Sequence, residues 1–111
     1  MIADVQSFIP LGKSIFVRTH EICNELYVNI SYYMVDENHK LYYPMGVTLT
    51  ENEFKEVLEV IEMDISYMDA GELRIVTIDK GIQIIKENGS IYLKRDQMKI
   101  LLESKDIILG R

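Results

Sequence analysis

Three groups of residues carry types that could do chemistry. His20-Glu21-x-Cys23 places an imidazole, a carboxylate and a thiol close together, a set that could ligate zinc. The segment reads as a strand, however, where residues 20 and 23 point to opposite faces. The only other histidine is His39, and no second cysteine exists. Glu53-x-Lys55 and Glu103-x-Lys105 echo the acid–x–lysine pairs of metal-dependent nucleases. Both fall on expected helices, where positions i and i+2 do not share a face. Two-metal hydrolysis needs carboxylates converging on one cavity, so a solvated helix face is the better reading. The third group is Tyr27, Asn29, Tyr33 and Tyr43, with Arg18, His20 and Lys40 near them in the expected sheet. Tyrosines on a sheet can stack on nucleic-acid bases for about 1–3 kcal/mol each. They can equally stabilise strands by cross-strand contact, and for these three both roles stay open. Tyr32 and Tyr42 read as structural.

No phosphate-cradling glycine loop, nucleophile elbow or dinucleotide fingerprint is present. Neither a cofactor, a metal nor catalysis is therefore expected, and the function sought is binding. The 111-residue chain is enough for one domain with one core. Its 48% hydrophobic content and 27% charged content exclude a disordered or low-complexity chain. The net charge of −6 argues against non-specific phosphate binding by the whole surface. The charge is uneven: residues 1–70 carry four basic and twelve acidic groups, giving −8, whereas residues 71–111 carry eight and six, giving +2. One cysteine, Cys23, allows no disulfide within the chain, which suits a reducing compartment. Met1-Ile2-Ala3-Asp4 lacks the features of a signal peptide and no apolar run reaches membrane-spanning length. A cytoplasmic protein of a bacterium, phage or mobile element is expected, with no membrane partner.

The elements that must position these residues follow from periodicity. Residues 14–22 read as a strand. Leu26, Val28, Ile30, Tyr32 and Met34 alternate with Tyr27, Asn29, Ser31 and Tyr33, the period of a half-buried strand. Residues 36–39 make a turn, and residues 40–50 a third extended piece that Pro44 and Gly46 should kink or bulge. The period then changes to that of a helix. Thr50 and Glu53 can form a capping box, and Phe54, Val57, Leu58 and Ile61 make an apolar stripe with glutamates outside it. Ala70-Gly71 closes this unit. Residues 73–78, 82–86 and 91–93 read as strands, with Asn88-Gly89 as a hairpin signal, and residues 95–104 as a second helix. The fold class is α+β: antiparallel sheet plus two helices, arranged as two β-β-β-α units over residues 8–65 and 71–109 of one domain.

The repetition extends to residue identity. At an offset of 44 residues, Leu49, Phe54, Lys55, Val57, Leu58 and Glu59 meet Leu93, Met98, Lys99, Leu101, Leu102 and Glu103. Four of these six pairs are identical. The sequence leaves open whether this marks an internal duplication or two convergent strand–helix units. If it is a duplication, one chain could supply both halves of a pseudo-dimer.

Residues 8–65 resemble the positive cofactor four family of transcriptional coactivators, which bind single-stranded DNA. The resemblance starts at Phe8-Ile9-Pro10-Leu11-Gly12-Lys13 and Ile15-Phe16-Val17-Arg18. It continues through Val28-Asn29-Ile30-Ser31-Tyr32-Tyr33-Met34, then Met45-Gly46-Val47-Thr48-Leu49 ahead of Phe54 on the helix. It implies a curved four-stranded sheet followed by one helix, paired as a homodimer, with the exposed sheet face on the nucleic acid. Where the family sets basic side chains against phosphates, this chain holds Ser31, Pro44 and Met45. What remains on that face is mostly aromatic. The expected function is a non-enzymatic module involved in transcription regulation. It would bind single-stranded nucleic acid weakly through Arg18, Tyr27, Asn29, Tyr33, Lys40 and Tyr43, as a homodimer or higher oligomer. The alternative is an acidic protein-binding adaptor or inhibitor of phage or mobile-element origin.

Overall fold

The computed structural model describes residues 4–12, 14–87 and 89–110. Residues 1–3, Lys13 and Asn88, used above, lie outside them. The chain is α+β, with two antiparallel sheets in sequence order. Strands β1 (Asp4–Pro10), β2 (Ile15–Ile22), β3 (Glu25–Val35) and β4 (Leu41–Thr50) form the first sheet, and helix α1 (Glu51–Met63) follows. Strands β5 (Tyr67–Ala70), β6 (Leu73–Ile78), β7 (Gly81–Lys86) and β8 (Gly89–Leu93) form the second. Helices α2 (Arg95–Glu103) and α3 (Lys105–Leu109) close the chain. Each unit thus has one strand more than the periodicity gives, and the last helical segment is broken in two at Ser104. Both added strands, β1 and β5, lie at sheet edges, where alternation between two faces is weakest.

Turn chemistry sets the hairpins. Cys23-Asn24 and Asp79-Lys80 each have two consecutive positive φ values, the form of two-residue loop whose twist matches that of the strands. Asp36 makes the β3–β4 turn, its carboxylate accepting from the backbone N–H groups of Asn38 (2.8 Å) and Lys40 (2.9 Å). Register shifts where Tyr32 pairs with Met45 but Met34 with Tyr42, the bulge expected near Pro44. The β7–β8 turn closes between Lys86 and Gly89, so Gly89 begins β8.

The two units repeat in three dimensions. Leu49 pairs with Val28, and Val28 with Thr19; Leu93 pairs with Ile82, and Ile82 with Thr77. The offset is therefore 44 residues at the fourth strand, 54 at the third and 58 at the second. At these offsets Ile15, Val17, Val28, Ile30, Val47 and Leu49 correspond to Leu73, Ile75, Ile82, Ile84, Ile91 and Leu93. All twelve are buried. The change of offset from 54 to 44 has a plain cause: β3 and β4 span 11 and 10 residues, β7 and β8 only 6 and 5. The units touch through their counterparts, β4 against β8 and α1 against α2, around one continuous core.

Helix α1 starts as its sequence dictates. Thr50 Oγ1 accepts from the Glu53 backbone N–H (3.2 Å), and Glu53 Oε1 accepts from the Thr50 N–H (2.9 Å). The same Glu53 oxygen accepts from Lys86 Nζ (2.9 Å), which also donates to the Thr48 carbonyl (3.2 Å), so the cap of one unit is tied to a strand of the other. Burial alone would raise the Glu53 carboxyl, but the Thr50 hydrogen bonds and the Lys86 ammonium together hold it below its ordinary 4.5. A carboxyl lowered in the folded state stabilises above its unfolded pKa, and that stability is lost as pH falls through the lower folded value. Glu53→Gln keeps an acceptor for the cap and removes the charge pair. Urea unfolding of this variant, measured from neutral pH down to about pH 3, should show a shallower acid loss than the parent. Identical slopes would mean that the Glu53 charge is not coupled to folding.

Candidate nucleic-acid interface

Strand pleating divides the first sheet. Ile15, Val17 and Thr19 of β2, Val28 and Ile30 of β3, and Val47 and Leu49 of β4 face the core. Phe16, Arg18 and His20 alternate with them, and Asn29 and Tyr33 share their face. On this outer face Arg18 stands opposite Asn29, which stands opposite Thr48. The three side chains join: Arg18 Nη2 donates to Asn29 Oδ1 (2.8 Å), and Asn29 Nδ2 donates to Thr48 Oγ1 (2.9 Å). Ser31 Oγ donates to the same Asn29 oxygen. The Arg18 guanidinium lies 3.6 Å from the centre of the Tyr43 ring, a cation–π contact.

Arg18 is thus held in one place by an amide below it and a ring over it. Its Nε is buried without a hydrogen-bond partner among the described residues. His20 Nδ1, two residues along the same face, is in the same position. Burial first, and the Arg18 charge second, lower the His20 pKa from 6.5, so the ring is neutral near pH 7. Arg18 is then the only cation that this group of side chains presents. Beside it an open cleft of about 560 Å³ runs between the sheets, lined by Arg18, Asn29, Tyr43 and Gly46 on one side and Lys86 and Ser90 on the other.

Next to Arg18, three aromatic rings form a row across β1, β2 and β3. Phe8 and Phe16 have centroids 4.2 Å apart with planes tilted by 33°, and Phe16 and Tyr33 are 4.6 Å apart at 57°. Phe8 remains 45% exposed. Phe8 and Phe16 belong to the motifs that carry the family resemblance but not to the expected binding residues. A signal was available for Phe16, which shares the strand parity of Arg18; Phe8 lies on a strand that the periodicity missed.

The six expected site residues do not all meet. Arg18, Asn29 and Tyr43 come together at the cleft, and Tyr33 joins through Phe16. Tyr27 stands opposite His20, two residues from Asn29 on the same face, but its hydroxyl is engaged elsewhere, donating to Glu25 Oε2 (3.1 Å). That hydrogen bond, and the Glu25 charge behind it, push the Tyr27 phenol above its ordinary 10.0. Lys40 is exposed at the end of the β3–β4 hairpin, away from Arg18 in the strand register. Among the described residues no His, Cys, Asp or Glu cluster suits a metal ion, and no helix is long and apolar enough to cross a membrane. The chain matches no family model, no curated protein and no solved structure.

Proposed function

We propose that this chain is a non-enzymatic binding module that contacts single-stranded nucleic acid through the outer face of its first sheet. The observation that carries the reading is the row Phe8–Phe16–Tyr33 beside an Arg18 already fixed by Asn29 and Tyr43. Aromatic rings on an open sheet offer bases a stacking surface that needs no sequence readout. A prepositioned guanidinium loses little freedom when a phosphate arrives. The four strands and single helix of the first unit follow the order that the family resemblance implies, which adds support. The scarcity of cations sets the character of the binding: stacking leads and phosphate contact is minor. An acidic protein-binding adaptor or inhibitor is the second reading, favoured by the −8 charge of residues 1–70.

Fluorescence anisotropy with a labelled single strand, run from low to high salt, tests this. Each neutralised phosphate on a single strand adds about −0.7 to the slope of log affinity against log salt, so a slope shallower than about −2 is expected. Tyr33→Ala should cost about 1–3 kcal/mol of binding. Arg18→Ala should flatten the slope by about one phosphate's worth. A steep slope that ignores Tyr33→Ala would move the binding to Lys80, Lys86, Lys94 and Arg95 of the second unit. No binding at low salt would end the nucleic-acid reading and leave the protein adaptor in front.

A further inference from the structure

The β3–β4 hairpin outruns its sheet. Pairing of β3 with β2 stops at Tyr32 opposite Ile15, with one further backbone bond from Tyr33 to Ser14. Beyond it, β3 and β4 continue as a two-stranded arm with both edges open. A two-stranded ribbon is marginal by itself in water. This one also carries Met34, Val35, Leu41 and Tyr42, each 43–54% exposed. At the corresponding place the second unit has only the short β7–β8 turn, so the repeated fold does not require the arm. Its tip bears Asp36 and Glu37 against one cation, Lys40.

A second surface without a partner lies elsewhere on the chain. A groove of about 660 Å³ runs between α1, α2 and the β6–β7 turn. Val60, Ile61 and Met98 give it an apolar lining, and Lys80, Arg95 and Lys99 stand on its rim along with Asp64 and Asp96. The ion pairs of the described residues engage Lys55, Arg74, Lys86 and Lys105, so the three rim cations are in none of them.

We propose that these two surfaces fit each other between two copies of the chain: the arm of each docks in the groove of the other. The arm brings an apolar body and a tip with two carboxylates to one ammonium; the groove brings an apolar lining and three cations to two carboxylates. The wider charge agrees, since the arm belongs to the −8 half and the groove residues come mostly from the +2 half. Exchanged reciprocally about a two-fold axis, the contact closes as a dimer, whereas a single head-to-tail contact would not close. The proposal does not depend on what the outer sheet face binds.

Sedimentation of the full chain over a hundred-fold range of concentration, at low and at high salt, tests it. The expected result is a mass rising toward twice that of the chain, with weaker association at high salt because charge contributes. Leu41→Lys on the arm and Lys99→Glu on the groove rim are exposed substitutions that the fold should tolerate, checked by an unchanged thermal melt. Each alone should shift self-association to at least tenfold higher concentration. Mixed one to one, they should associate better than either alone, because the arm of Lys99→Glu meets the unaltered groove of Leu41→Lys. Arms that pair with arms would give no such recovery and would overturn the proposal. So would a wild-type chain that stays monomeric throughout, or a dimer indifferent to Lys99→Glu.

Discussion

Replacing Phe54 by alanine should cost about 3–5 kcal/mol of folding stability, the range for a large aromatic removed from a packed core. Phe54 is fully buried and sits one turn into α1, in the first contact of the helix with the core. Its counterpart Met98 is only half-buried, so the second unit holds no equal anchor that could compensate. Glu59, exposed on the opposite side of the same helix, provides the control: Glu59→Ala should stay within about 0.5 kcal/mol. Urea titrations of the two variants measure both. Similar costs would mean that the helix presents a different face to the core.

The second large effect is expected at Gly46. A Cβ built there would lie 2.5 Å from the Ile30 carbonyl oxygen and 2.7 Å from Ser31 Cα, and closer still to Ser31 Oγ. Backbone atoms cannot step aside as the end of a long side chain can. On the other side of the cleft, a Cβ at Gly89 would collide with the Gly46 carbonyl oxygen. Gly46 is therefore pressed from two directions, by its own neighbour strand and by the other unit. Gly46→Val should destabilise by about 3 kcal/mol or more, at the upper end for overpacking. Adding Ser31→Ala should recover only part of that, because Ile30 O and Ser31 Cα stay in place. Full recovery in a chemical denaturation series would show that only the hydroxyl matters. Any Gly46 variant that does fold should also loosen the Ser31–Asn29–Arg18 chain of hydrogen bonds, so the anisotropy assay of the proposed nucleic-acid binding should be run beside its stability measurement.

Much of this architecture was legible where one physical signal dominated. The change of period at Thr50 placed the start of α1, because the capping box and the apolar stripe agree. The alternation of residues 26–34 gave β3 and its two faces, and with them the shared face of Asn29 and Arg18. What escaped had weaker or remote causes. β5 is four residues long, with Asp69 in it and no clear alternation. Val60 is fully buried although it lies off the Phe54–Val57–Leu58–Ile61 stripe. The second unit explains it: α2, β5 and β6 pack on α1, widening its apolar face beyond what one sheet would need. The repeat surfaced at one offset only, because a ten-residue difference in hairpin length displaces the strands before it. Lys40 was placed near the site by loop proximity, which says nothing about distance along a strand. The cleft beside Arg18 needs Lys86 and Ser90 from a sheet that the first half of the sequence cannot announce.

The contact of β4 with β8 and of α1 with α2 has a consequence for what the chain can become. Two identical subunits meeting this way would dissociate on dilution, and every substitution would appear on both sides of the axis. A covalent link sets the encounter at an effective concentration that dilution cannot lower. It also frees each half to change alone. One half can lengthen a hairpin and gather acidic groups while the other stays compact and slightly basic, and neither change is copied across. An asymmetric chain built on a nearly symmetric frame carries one version of each surface where a pair of identical subunits would carry two.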